Sequence, residues 1–193
     1  MRRVAVTGCV NRAKAREIVA SVTPKPETSV SLNVQIEPSS GVPPLVEYRW
    51  DTDTDILSAQ VAASEGAETP AAAIELQGAD GSWLILDVRA GRIRGVEVAV
   101  WPDVRKLPQL RPPEADFASV VIPGRRAAGG SSEIDTPLSA EVDDPERIFH
   151  FRLGVGRETR AVKLASDIMI DVEPSGAVAG LWLLNVPPFP LDL

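Results

Sequence analysis

Two stretches decide the fold: Leu86-Asp87-Val88-Arg89-Ala90-Gly91-Arg92-Ile93-Arg94-Gly95-Val96-Glu97-Val98, and its answer Ile170-Asp171-Val172-Glu173-Pro174-Ser175-Gly176-Ala177-Val178-Ala179-Gly180-Leu181-Trp182-Leu183. The two aspartates lie 84 positions apart, as do Val88 and Val172, and each matched pair after the turn 85, so the stretches differ by one residue within the turn. Each reads as a β-hairpin: an apolar strand ending in Asp, a tight turn closed by glycine, and a second strand interrupted by Gly95 or Gly180. A unit that recurs with a shared turn and divergent side chains points to a pseudo-symmetric β architecture rather than to a catalytic motif.

Working outward, Tyr48-Arg49-Trp50 precedes the first hairpin and Phe149-His150-Phe151 the second, each placing two rings on one strand face. Pseudo-repeats of about 46–104 and 147–188 follow within a single domain spanning 1–193. Segment 1–38 adds a helix and a strand. The helix is expected over Asn11–Val22, with Asn11 as cap and Ala15, Ile18, Val19 and Val22 on one face. Val30, Leu32, Val34 and Ile36 alternate with polar residues and predict a half-buried strand. Further strands are expected at 72–77, 83–88, 92–101, 117–122, 138–142, 147–153, 159–164, 168–172 and 178–186. Segments 62–72, 106–114 and 124–132 read as connectors. The fold class is mainly β, an internally duplicated sandwich or partly closed barrel with one short N-terminal helix.

These residues carry a resemblance. Tyr48, Asp51, Asp55, Leu57, then Leu86, Asp87, Gly91, Ile93, Gly95, Val96, Glu97 and Val98, resemble the pattern of a small bacterial β-meander family of unknown function. In the second copy Asp171, Gly176, Val178 and Gly180 fit, whereas Leu153-Gly154 replaces the acidic turn and Trp182 stands for Glu97. Members of that family are sometimes encoded beside toxin-like ribonucleases, so the resemblance implies a binding role rather than chemistry.

Composition narrows the classes. A net charge of −7 disfavours a nucleic-acid surface, which needs Lys and Arg to displace counterions, and suits a basic protein partner. No apolar run approaches the length of a membrane helix. The single cysteine, Cys9, permits no internal disulfide, in keeping with a cytoplasmic protein.

Chemistry-bearing candidates are few. Asp51-Thr52-Asp53-Thr54-Asp55 alternates carboxylates as a calcium loop does, but Ile56 stands where that loop needs glycine and Ala62 where it needs a bidentate Glu. A solvated acidic turn is expected instead, with no metal and no cofactor. Asp87 and Asp171 precede turns and read as turn caps. His150, the only histidine, should point away from Phe149 and Phe151 and has no nucleophile assigned to it by sequence. His150, Cys9 and Tyr48 are expected not to converge on one pocket. Gly95 and Gly180 are candidate bulge positions.

Trp50, Trp83, Trp101 and Trp182 remain as candidates for a ligand or interface site, beside their usual role as core. The sequence therefore reads as a non-enzymatic protein-binding or neutralising module of immunity or antitoxin type, acting on a basic protein. Two alternatives stand beside it. One is a small-molecule-binding barrel taking an apolar ligand, including a cofactor-free enzyme. The other is a structural subunit docking through Pro187-Pro188-Phe189-Pro190.

Overall fold

The computed structural model describes residues 31–62, 71–124 and 130–190, which form fourteen strands with no helix among them. The expected helix and Cys9 lie outside the described residues, as does most of segment 62–72. After β1 (Gln35–Pro38) comes an antiparallel meander of β2 (Val46–Asp51), β3 (Ile56–Val61), β4 (Ala71–Gln77), β5 (Trp83–Arg89) and β6 (Arg92–Val100). Then β7 (Val104–Lys106), β8 (Asp116–Val121) and β9 (Gly130–Asp135) lead to a second meander. Its strands are β10 (Leu138–Val142), β11 (Phe149–Leu153), β12 (Arg160–Lys163), β13 (Ile168–Val172) and β14 (Val178–Leu183).

Strand order is the same in both units, and it corrects the expected simple meander: β3 lies beside β6 and β11 beside β14, so each meander closes on itself by a Greek-key return. The first runs β2-β3-β6-β5-β4 and the second β10-β11-β14-β13-β12, antiparallel throughout. β8 links them, meeting Arg92 of β6 at one end and β12 in parallel at the other, while β1 lies antiparallel along it. An eleven-strand path from β7 to β9 curls into a half-barrel.

The hairpins agree residue by residue. Leu86 faces Val96 and Asp87 faces Gly95, as Ile170 faces Leu181 and Asp171 faces Gly180; one step later both registers slip. The slip leaves Arg94 and Ala179 as the extra residues of two β-bulges, where alternation breaks so that Ile93 and Val96 can both point inward. Bulges thus fall where the glycines predicted them. Their reason is different: neither Gly95 nor Gly180 has a positive φ; a Cβ would instead run into the Gln60 amide at Gly95 and into Asp171, His150 and the Phe151 backbone at Gly180.

Each meander sends one face inward by strict alternation. Leu84, Leu86 and Val88 of β5 and Val96 and Val98 of β6 join Phe149, Phe151, Ile170, Val172, Leu181 and Leu183 in one apolar cluster. The two meanders therefore face each other across a shared core, with the Trp101 and Phe151 rings 5.9 Å apart at the contact.

Four sequence expectations need correcting. The 124–132 connector contains the start of β9, whose GSSEID sequence has little strand character and is held by parallel pairing with β4. The Pro-rich 106–114 connector contributes to packing, since Leu110 is buried against Met169 and Trp182. Of the Val30–Ile36 strand, Leu32 and Val34 are buried, but regular pairing starts at Gln35 because Asn33 makes only an isolated bridge to Ala177. Finally, Phe149 and Phe151 lie on β11, whose place in the first meander belongs to β3 with Leu57 and Ala59, not to β2 with Tyr48 and Trp50. An aromatic-x-aromatic pair reports a shared face, not a strand position.

Phe151 is fully buried between the meanders. Phe151→Ala should lower stability by about 3–5 kcal/mol while leaving one cooperative transition. Urea unfolding followed by tryptophan fluorescence and far-UV circular dichroism checks this; two separated transitions would show the halves to be independent.

Candidate functional site

The two meanders differ on their outer faces. On β5 the outward Trp83, Ile85 and Asp87 are half-buried and Arg89 is exposed, whereas every residue of β13 is buried. The cause is the 107–115 segment, which crosses the second meander and packs Leu107, Leu110 and Ala115 against Met169, Trp182 and Ala161. Pro108, Pro112 and Pro113 lack amide donors, so a chain that builds no ladder there leaves fewer backbone groups to satisfy.

Beneath this strap lies a polar cluster. Phe149 and Phe151 point into the core, so His150 points outward, and the same alternation turns out Glu141, Asp171 and Trp182. Register places Glu141 opposite His150 and His150 opposite Trp182, a row of side chains across three strands. His150 Nε2 lies 2.9 Å from Asp171 Oδ2, and Trp182 Nε1 donates to the same oxygen at 3.0 Å. The imidazole lies flat on the indole, with centroids 3.9 Å apart and planes 7° apart. On its other side, His150 Nδ1 is 3.5 Å from Glu141 Oε2. Arg105 hydrogen-bonds Glu141 Oε1, and Arg152 Nη1 is 3.7 Å from that oxygen.

His150, Asp171, Glu141 and Trp182 are only 9%, 8%, 7% and 5% exposed. Charges this covered destabilise unless paired, and here each carboxylate meets donors and the ring meets a carboxylate on either side. Burial pushes the Glu141 carboxyl up, but the Arg105 hydrogen bond and the charges of Arg152, Arg105 and His150 outweigh it and hold the group below its ordinary 4.5.

Gly180 makes the cluster possible. A Cβ there would sit 2.6 Å from Asp171 Oδ2, 2.9 Å from His150 Nε2 and 3.2 Å from the Phe151 carbonyl oxygen. At the matching Gly95 the nearest atoms a Cβ would meet are those of the Gln60 side-chain amide, at 2.5 Å, the far end of a flexible, exposed side chain.

Asp171 is therefore not the turn cap expected of it: it anchors a side-chain network, because Gly180 opens the space opposite. Asp87 instead pairs with Arg89 at 3.4 Å. The tryptophans divide. Trp50 and Trp101 stack at 5.8 Å, Trp50 Nε1 donates to the Pro187 carbonyl, and Trp101 Nε1 donates to the Asp55 carbonyl. The buried Nε1 of Trp83 has no hydrogen-bond partner among the described residues. Trp182 alone joins the polar cluster, and it also lines an open depression of about 390 Å³. A larger cleft of about 660 Å³ is lined by Leu32, Leu76, Ile134, Leu153 and Val178, with none of the four tryptophans.

Tyr48 makes its hydrogen bonds to backbone carbonyls, not to the His150 cluster. Its hydroxyl donates to the Leu184 carbonyl at 2.8 Å, and burial, then the charge of Asp167, push the phenol up against that hydrogen bond. Asp51, Asp53 and Asp55 are exposed, as a solvated acidic turn requires. Among the described residues no group of three or more His, Cys, Asp or Glu is arranged to hold a metal ion, no hydroxyl or thiol hydrogen-bonds His150, and no helix is long and apolar enough to cross a membrane. The cluster can thus hold an imidazole rigidly and present polar groups to a ligand. No family model matches the chain, and no curated protein matches it.

Two outcomes follow from the geometry. Gly180→Ala should destabilise by about 1–3 kcal/mol and Gly95→Ala by less than about 1 kcal/mol, because only the former intrudes on buried, mutually bonded groups and on backbone. Equilibrium denaturation of the two variants checks the ordering. Glu141 has a lowered folded-state pKa, so its ionised form contributes stability above pH 4.5, and this is lost as pH falls through the folded value. Glu141→Gln should accordingly be less stable than the parent at neutral pH, with the gap closing below pH 4.5 in denaturation series run across pH.

Proposed function

We propose that the protein is a non-enzymatic binding module of immunity or antitoxin type, acting in the cytoplasm on a basic protein partner. The observation that carries this reading is the mounting of the acidic turn between β2 and β3. Asp51, Asp53 and Asp55 are exposed, and Asp55 adopts a φ of 57° while its carbonyl accepts the Trp101 indole N–H at 2.8 Å. Trp101 stacks on Trp50, which meets Phe189 edge-on at 5.1 Å, and both indoles remain half-exposed.

A stacked aromatic pair beside an exposed acidic turn combines the two features that anchor and steer a protein interface: desolvatable rings and adjacent charge. Arg2, Arg3, Arg12, Lys14, Arg16 and Lys25 all precede the described residues, so the β body is more acidic than the whole chain. The recurring hairpin, read as two diverged copies of one unit, and its resemblance to a family sometimes encoded beside toxin-like ribonucleases support the same reading.

A second reading has its own observation. The cleft of about 660 Å³ has an aliphatic part, Leu32, Leu76, Ile134, Leu153 and Val178, beside the charged Glu133, Asp135 and Arg157, and that part suits a small apolar ligand. Because no tryptophan lines it, occupancy would register in the methyl resonances of Leu76 and Leu153 rather than in indole quenching.

The test of the binding module uses the protein as bait in an extract of its source cells. The expected partner has an isoelectric point above neutrality, is released by roughly 0.5 M salt, and is lost with Trp50→Ala and with the triple change Asp51→Asn, Asp53→Asn, Asp55→Asn. An acidic partner, or one retained equally by both variants, contradicts the assignment.

A further inference from the structure

We propose that the open depression over the His150–Asp171–Trp182 cluster binds an oxyanion group, phosphate or carboxylate, of a small ligand, held by Arg111, Arg152 and Arg157. The depression has a volume of about 390 Å³, within the range of small-ligand sites. Its three arginines come from three separate segments: the strap, β11 and the loop after β11. Such convergence is notable in a chain of net charge −7, where arginines have abundant carboxylates to pair with.

The pairing that exists leaves positive charge in hand. Arg111 Nη1 bonds only the neighbouring Leu110 carbonyl, at 2.8 Å, with no carboxylate paired to it among the described residues. Arg152 stands 3.7 Å from a Glu141 oxygen that Arg105 already holds. Arg157 pairs with Glu173. A guanidinium with free N–H groups presents a planar fork that matches phosphate and carboxylate oxygens.

The loop is shaped for these side chains. A Cβ at Gly154 would lie 3.3 Å from Arg157 Nη2, and one at Gly156 would lie 3.3 Å from Arg152 Nη2. Glycine at both positions lets the two guanidinium groups rest against the backbone of Gly154-Val155-Gly156, and Gly154 also has a φ of +89°. At the floor, Asp171 Oδ2 is engaged by His150 and Trp182, which turns that oxygen toward the rings.

The first meander has no counterpart. At the places of Arg152, His150 and Trp182 it carries Gln60, Ser58 and Glu97, with Ser58 Oγ donating to Glu97 Oε2 at 3.3 Å. The site is thus particular to the second meander, and it is independent of the acidic turn on the first.

The test is a ¹H–¹⁵N NMR titration with inorganic phosphate and, separately, with citrate, each against chloride at matched ionic strength. The expected result is a saturable shift of the Trp182 indole N–H and of the Gly154 and Gly156 amides. Its apparent Kd should rise by at least about tenfold in Arg111→Gln and in Arg152→Gln, as loss of a charge-assisted hydrogen bond requires, while Arg89→Gln on the other meander leaves it unchanged. Tighter binding of phosphate assigns a phosphoryl ligand, and tighter binding of citrate a carboxylate. Shifts that do not saturate, that chloride reproduces, or that survive both arginine changes overturn the proposal. The triple Asp→Asn variant of the acidic turn should titrate as the parent does, so failure here and failure of the protein-binding reading are read separately.

Discussion

A five-stranded antiparallel meander has one apolar face and cannot bury it alone. Everything else in this structure depends on the solution adopted, in which two such meanders of identical strand order face each other over one core. The alternation along β5, β6, β13 and β14 serves this contact. The β1–β8 pair serves it too. Residues 32–34 bond the turn at Gly176, with Val34 N–H donating to Gly176 O, and Ile122 N–H donates to Gly91 O at the turn of the other hairpin. The crossing strands thereby tie both hairpin turns to one central ladder.

With the inner faces committed to the core, the outer faces were free to differ, and they do. At matched positions, Ser58, Gln60 and Glu97 stay under solvent on one side, whereas His150, Arg152 and Trp182 lie beneath or beside a strap on the other. Covering a histidine and two carboxylates stabilises little by itself, since desolvation offsets most of the attraction between the charges. Their arrangement makes better sense as preorganisation: Gly180 clears the space, Asp171 fixes both rings, and the arginines are left facing the open depression.

Much of the frame was legible in the sequence. Glycines at matched offsets marked the hairpins and their bulges, and alternation marked β4 to β6 and β10 to β14 to within a few residues. Three features were not. β9 is a polar edge strand that exists because β4 offers it a partner, and no periodicity announces that. The strap reads as a connector because its prolines dominate, and Leu110 is a lone apolar residue until β13 and β14 give it something to cover. The His150–Asp171–Trp182 cluster joins residues 21 and 11 positions apart, a neighbourhood that emerges only from cross-strand register. One signal was present: in the matched hairpins Trp182 replaces Glu97 beside a retained aspartate, a swap of charge for an indole that can donate to it.

Two meanders that share one core must open together. Native-state hydrogen exchange tests it most directly, by comparing amides of β5 and β6 with those of β13 and β14 under increasing urea. Both hairpins should converge on a single opening free energy equal to that of global unfolding. Exchange of one hairpin through a separate, lower-energy opening while the other stays protected would contradict the account.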